Sequence, residues 1–154
     1  MKISRILVPT DFSAGGGKAL DYARLLAKEL DAMIELVHVC EIPSTLGPEL
    51  VVGLPGEPPV SVEDLIRSRG EVQLNDLLAT VQDKGITARG RVLVGKPAEL
   101  IVETATRDKV DLIVMGTHAR RGLSRVVLGS IAESVIRSAP CPVLTVRNED
   151  DGSM

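Results

Sequence analysis

Gly116-Thr-His-Ala-Arg-Arg-Gly-Leu-Ser-Arg-Val-Val-Leu-Gly129-Ser130 decides the fold. It follows an apolar run, Val110 to Met115, that reads as a buried strand. It ends in a segment, Ser124 to Arg137, whose Leu128, Ile131, Ala132, Val135 and Ile136 fall on one face of a helix. A strand that feeds a glycine-bracketed loop and then a helix is half of a parallel α/β unit. The loop carries Arg120, Arg121 and Arg125, so it can aim backbone N–H groups and cations at an anion.

Working outward, the same alternation repeats. Ile3–Val8 is a continuous apolar strand of the kind covered on both faces. Pro9-Thr10-Asp11-Phe12-Ser13 ends it, and Ser13 or Asp11 can cap a helix over 16–30. Its apolar stripe is Ala19, Ala23, Leu26, Ala27 and Leu30. Met33–Val39 is a second strand, with Val37 and Val39 on one face and Leu36 and His38 on the other. Ser61-Val-Glu-Asp64 opens a longer helix with a capping-box pattern, striped by Leu74, Leu77, Leu78 and Val81 and ended by Gly85. Ile86–Val94 has the mixed polarity of an edge strand. Pro97 starts a third helix with Ala98, Ile101, Val102 and Ala105 inward. Val143–Val146 is the fifth strand. The pattern β-α-β-α-β-α-β-α-β predicts a single α/β domain, an open parallel five-stranded sheet with helices on both faces. Residues 42–60, rich in proline and glycine, read as a long irregular loop, either a lid or a tolerated insertion.

With 154 residues the chain can bury a substantial core as one domain. Only one Phe, one Tyr and no Trp are present, so aliphatic side chains must build that core. The net charge of -3 and the lack of aromatic platforms argue against nucleic-acid binding. No apolar window reaches membrane-spanning length. No cleavable signal pattern precedes the first strand, so a cytoplasmic location is expected. Cys40 and Cys141 fall at opposite ends of a parallel sheet and are read as reduced thiols.

In open α/β sheets ligands bind beyond the carboxyl ends of the strands, and Asp11, Val39 and Gly116 all lie there. Asp11 reads as a ribose acceptor or a helix cap. Gly90-Arg-Val-Leu-Val-Gly95-Lys96-Pro97 imitates a phosphate loop, but Gly90 sits inside a strand and Pro97 stands where a hydroxyl would hold magnesium. His38 reads as a satisfied core histidine. His118, in the glycine loop, reads as a hydrogen-bond donor to a phosphate or as a proton carrier. No Cys, Asp or Glu stands beside it at zinc-ligand spacing, and there is no Gly-x-Ser-x-Gly elbow. Ser130 can offer its hydroxyl and N–H to a phosphate or bond its own backbone.

Ile6-Leu-Val-Pro-Thr-Asp11-Phe-Ser13, His38-Val39, Met115-Gly-Thr-His, Gly129-Ser130-Ile-Ala-Glu-Ser-Val135 and Pro140-Cys-Pro-Val-Leu-Thr-Val146 together resemble the universal stress protein family over nearly the whole chain. The resemblance implies strand order 3-2-1-4-5, a domain over 1–147 with a flexible acidic tail over 148–154, and a homodimer paired through Val143, Leu144, Thr145 and Val146. It also implies ATP, or ADP or AMP, with or without magnesium, bound without catalysis or with slow hydrolysis. A dimeric signalling module that does not bind ATP is the alternative. Some members bind ATP through Gly, two residues, Gly, nine residues, Gly and then Ser or Thr. Gly116, Gly129 and Ser130 match, and Ala119 replaces the second glycine. If that position needs positive φ, Ala119 strains the loop by about 1 kcal/mol or more; if it needs only a small side chain, Ala serves. By resemblance, Pro9, Thr10, Asp11 and Val39 face ribose and adenine. Met115, Gly116, Ala119, Gly129, Ser130 and Ile131 line the phosphate side. His118 and Arg120 are added from their place in the loop.

Overall fold

The computed structural model describes residues 1–47, 49–117 and 128–147. Its elements, in chain order, are β1 (Arg5–Pro9), α1 (Ala14–Leu30), β2 (Met33–Cys40), β3 (Val51–Val52), β4 (Val60–Ser61), α2 (Val62–Gln82), β5 (Ala88–Val94), α3 (Pro97–Arg107), β6 (Leu112–Gly116), α4 (Ser130–Ser138) and β7 (Val143–Val146). The five longer strands form one parallel sheet in the order β5-β2-β1-β6-β7. Without the two short strands this is the 3-2-1-4-5 order that the family resemblance implies. The order reverses between β1 and β6, which pair at Ile6↔Leu112 and Leu7↔Ile113. The carboxyl ends of the strands there bound the crevice where such sheets take ligands.

Period-two alternation splits the strand residues between two cores. Ile6, Val8, Ile34, Leu36 and Val114 pack with Ala19, Leu20, Ala23 and Leu74, from α1 and α2. Leu7, Val37, Ile113 and Met115 pack with Ile101, Ala105, Ala132 and Val135, from α3 and α4. Both faces are therefore covered, as continuous apolar strands require. The alanines along the buried side of α1 take the place that aromatics fill elsewhere.

Several expectations are corrected. Residues 42–60 are not wholly irregular: β3 and β4 pair antiparallel, Val51↔Ser61 and Val52↔Val60. Val51-Val52 and Val60 flank a proline- and glycine-rich connection over 53–59, and the prolines masked that signal. Leu30 and Ile136 are exposed, because each lies at the margin of its helix's apolar stripe. Of the expected start of the fourth helix, 124–127 lie outside the described residues. Leu128 and Gly129 are not helical, and Gly129, at φ -60 and ψ 150, is the residue before the first turn of α4. Ser130 is thus the first helical residue rather than an interior one. The α2 helix ends at Gln82, and Gly85, at φ 77, closes the turn beyond it. The tail 148–154 lies outside the described residues.

Arg89 and Arg91 on the edge strand β5 are both paired. Arg89 bonds Glu35, whose side chain is 3% exposed. Arg91 reaches Asp108 at 2.9 Å, and Arg107 Nε donates to the same carboxylate at 3.1 Å. Arg5 donates to the Asp108 carbonyl at 2.7 Å. The Arg107 hydrogen bond, with Arg91 and Arg89 close by, holds the Asp108 carboxyl below its ordinary range despite partial burial. These ions tie β5 to β2 and to the end of α3. Pairing of this kind is invisible in sequence because Glu35 and Arg89 are partners across strands.

Candidate functional site at the carboxyl edge of the sheet

The turn after β1 is built by its own short side chains. The Thr10 N–H donates to the Val37 carbonyl at 2.9 Å, keeping the turn on β2. The Phe12 N–H donates to Thr10 Oγ1 at 3.1 Å, and Phe12 sits at φ 62. That left-handed conformation costs a non-glycine residue roughly 1–2 kcal/mol, so the packing around it must hold it there. The Phe12 ring lies 4.5 Å from the His38 ring, and His38 Nδ1 is 2.8 Å from the Thr10 carbonyl. His38 is thus a partnered, half-buried histidine and fixes the turn.

Ser13, not Asp11, caps α1: its Oγ accepts from the Gly16 N–H at 3.3 Å. Asp11 is exposed, and its Oδ1 accepts from the Ser13 N–H at 2.9 Å. This anchors the carboxylate through one oxygen and leaves Oδ2 for a ligand hydroxyl.

The end of β2 offers a second polar edge. Gly95 N–H donates to the Cys40 carbonyl at 2.9 Å, so residue 40 faces β5. In a parallel ladder the backbone groups of alternate residues face alternate sides. Val39 therefore turns its N–H and C=O toward β1, as Val37 does, but β1 has ended at Pro9. A donor and an acceptor side by side fit one edge of a heterocyclic base.

At the end of β6, Gly116 abuts α1: a Cβ there would lie 3.2 Å from the carbon and the oxygen of the Gly15 carbonyl. Met115 is buried in the α3–α4 core, so only its backbone is available to a ligand. The Thr117 N–H donates to the Val146 carbonyl at 3.1 Å, and the Gly129 N–H donates to the Thr117 carbonyl at 2.8 Å. The latter bond staples together the two ends of the loop, whose residues His118, Ala119, Arg120, Arg121 and Arg125 lie outside the described residues. It also commits the Gly129 amide to the protein.

The amides open to an anion are the next ones. Gly129 supplies no capping side chain. Among the described residues, no hydrogen bond takes up the N–H groups of Ser130, Ile131 and Ala132; the next, Glu133 N–H, already donates to the Gly129 carbonyl at 2.9 Å. A helix start of this form carries unsatisfied donors and the positive end of the helix dipole. Beside it, a groove of about 680 Å³ between α3 and α4 is lined by Ser130, Ile131, Glu41, Lys96, Pro97 and others. That volume lies within the range of small-molecule sites. Sequence reasoning missed Glu41 and Lys96, since only the tertiary fold brings the end of β2 and the start of α3 to Ser130. Burial pushes the thiols of Cys40 and Cys141 up. Both are unpaired by disulfide.

Fold and edge together define an open, doubly wound α/β protein with an anion-receptive helix start at its switch point. The chain belongs to the universal stress protein family, whose family model matches residues 2–147. It is 38% identical over 144 residues to universal stress protein MJ0531 of Methanocaldococcus jannaschii, covering 93% of this chain and 81% of that one. The crystal structure of a universal stress protein family member from Burkholderia pseudomallei is similar at TM-score 0.68 and 31% identity, over 93% of this chain and 95% of that one. The Archaeoglobus fulgidus universal stress protein in complex with dAMP shares the fold at TM-score 0.62 and 24% identity, over 94% of this chain and 98% of that one.

Proposed function

We propose that this chain binds an adenine nucleotide, ATP in the first place and ADP or AMP as alternatives, at the carboxyl edge of the sheet. The observation that carries this reading is the uncapped start of α4, where the amides of Ser130, Ile131 and Ala132 have no hydrogen-bond partner among the described residues. These amides and the Ser130 hydroxyl hold the phosphates, together with the Gly116 backbone. The Val39 backbone reads the adenine edge, and Asp11 Oδ2 takes the ribose hydroxyls, with Pro9 and Thr10 shaping that wall. From the loop, His118, Ala119 and Arg120 complete the phosphate side. The Archaeoglobus relative in complex with dAMP supports an adenine nucleotide in this fold.

We read the site as a binder with at most slow hydrolysis, since Pro97 follows Lys96 where a phosphate loop would place a magnesium-holding hydroxyl. The protein acts as a homodimer paired through β7, in the cytoplasm. A second reading, an interaction module with an empty site, is favoured by Ala119 at the position of the motif's second glycine. Calorimetric titration with ATP, with and without magnesium, separates the two. Saturable heat is expected, and its absence in a folded dimer refutes nucleotide binding. Mass spectrometry of gently purified protein should find a co-purified adenine nucleotide.

A further inference from the structure

The β3–β4 hairpin presents an apolar surface to solvent. Leu46, Leu50, Val51, Val52, Leu54 and Val60 are between 37% and 60% exposed, and Leu65 in the first turn of α2 extends the patch. Each strand of the hairpin is two residues long, and its described links to the body are the Val62 N–H bond to the Leu50 carbonyl and the run into α2. Two-stranded ribbons are marginal alone, and apolar surface gathered in one place marks a contact site.

The charges along it are of one sign. From residue 49 to 64 there are four carboxylates, Glu49, Glu57, Glu63 and Asp64, and no lysine or arginine. Glu63 pairs with Arg67 of α2; the other three make no ion pair among the described residues. This selects between occupants. A second copy of the hairpin would set four carboxylates against four. A nucleotide phosphate beneath the hairpin would meet the same repulsion. A cationic partner gains from both features.

We infer that the β3–β4 hairpin is a docking surface for an amphipathic segment of another protein, with apolar side chains bordered by lysine or arginine. Its apolar row covers the valines and leucines of the hairpin, and its cations face Glu49, Glu57 and Asp64 at the rim. Reversing these rim charges would set like charges against the partner's cations, which costs binding as well as selectivity.

The test titrates a fluorescein-labelled peptide of leucine and lysine at helical spacing into the full chain, read by anisotropy. The matching peptide with glutamate for lysine is run beside it. Saturable binding of the cationic peptide alone is expected. Val51→Ser/Leu54→Ser and Glu49→Lys/Glu57→Lys should each weaken it about tenfold or more. Glu29→Lys/Asp83→Lys, the same charge change elsewhere on the surface, should leave it within about twofold. Urea midpoints confirm that the variants fold. No saturable binding, or an equal loss with Glu29→Lys/Asp83→Lys, overturns the inference. Concentration-dependent self-association abolished by Val51→Ser/Leu54→Ser overturns it in favour of a second copy. Weaker ATP binding in that variant overturns it in favour of a lid.

Discussion

Replacing Ser130 by proline isolates the contribution of one backbone amide. Proline is favoured at the first position of a helix, where its missing N–H breaks no helical bond. It also confines the preceding residue to extended backbone, and Gly129 already sits at φ -60 and ψ 150. The Ser130 N–H has no partner among the described residues, so folding stability should change by no more than about 0.5 kcal/mol. Binding should change much more. A hydrogen bond to a charged group contributes about 1.5–3 kcal/mol, which corresponds to a loss of roughly ten- to a hundredfold in affinity. Ser130→Ala keeps the amide and removes only the hydroxyl, so its loss should be smaller. Calorimetric titration with ATP measures both, and urea melts of the same samples supply the stability control. If Ser130→Pro binds ATP as tightly as the parent chain, the phosphates are not held by the start of α4.

Gly116→Ala drives a methyl to within 3.2 Å of the Gly15 backbone, which cannot rotate aside; a loss of about 1–3 kcal/mol is expected. Gly17→Ala meets nothing within 4 Å and lies in α1, so it should stabilise by about 0.5–1 kcal/mol. Urea midpoints moving the same way in these two variants would contradict the packing described. Asp108 titrates below its ordinary value, so its stabilisation is complete above about pH 5 and fades as pH falls through the folded-state value. The stability gap between parent and Asp108→Asn should therefore shrink between about pH 5 and pH 3, and a constant gap would remove Asp108 from the acid response. Leu144→Lys places a charge on the exposed edge of β7 and should shift sedimentation toward monomer; an unchanged dimer would rule out pairing by that strand.

The architecture was legible because each strand is a short apolar run and each helix repeats its apolar residues at helical spacing. Those are local signals, and Val143–Val146 was bounded to the residue. What escaped depended on side chains meeting across the sheet or on which of two neighbours takes a bond. Asp11 and Ser13 were both candidate caps, and only the bond from the Gly16 N–H to Ser13 decides. That choice frees one oxygen of Asp11 for a ligand. Gly129 was legible as part of a phosphate loop, but its amide goes to Thr117, a pairing fixed by the path of the loop. The Glu35–Arg89 pair required the β2–β5 register. The hairpin was lost beneath its prolines.

The two borders of the sheet are unlike. On β5, Arg89 and Arg91 are drawn into ion pairs with Glu35 and Asp108, and charged side chains on a border strand deter strand addition. On β7, Leu144 stands 38% exposed with no such guard. If copies join through β7 as proposed, they meet like to like about a twofold axis, and each leaves only its arginine-bearing border outward. Growth would then stop at a pair, and a sheet left open on one side would be protected from running on into a fibre.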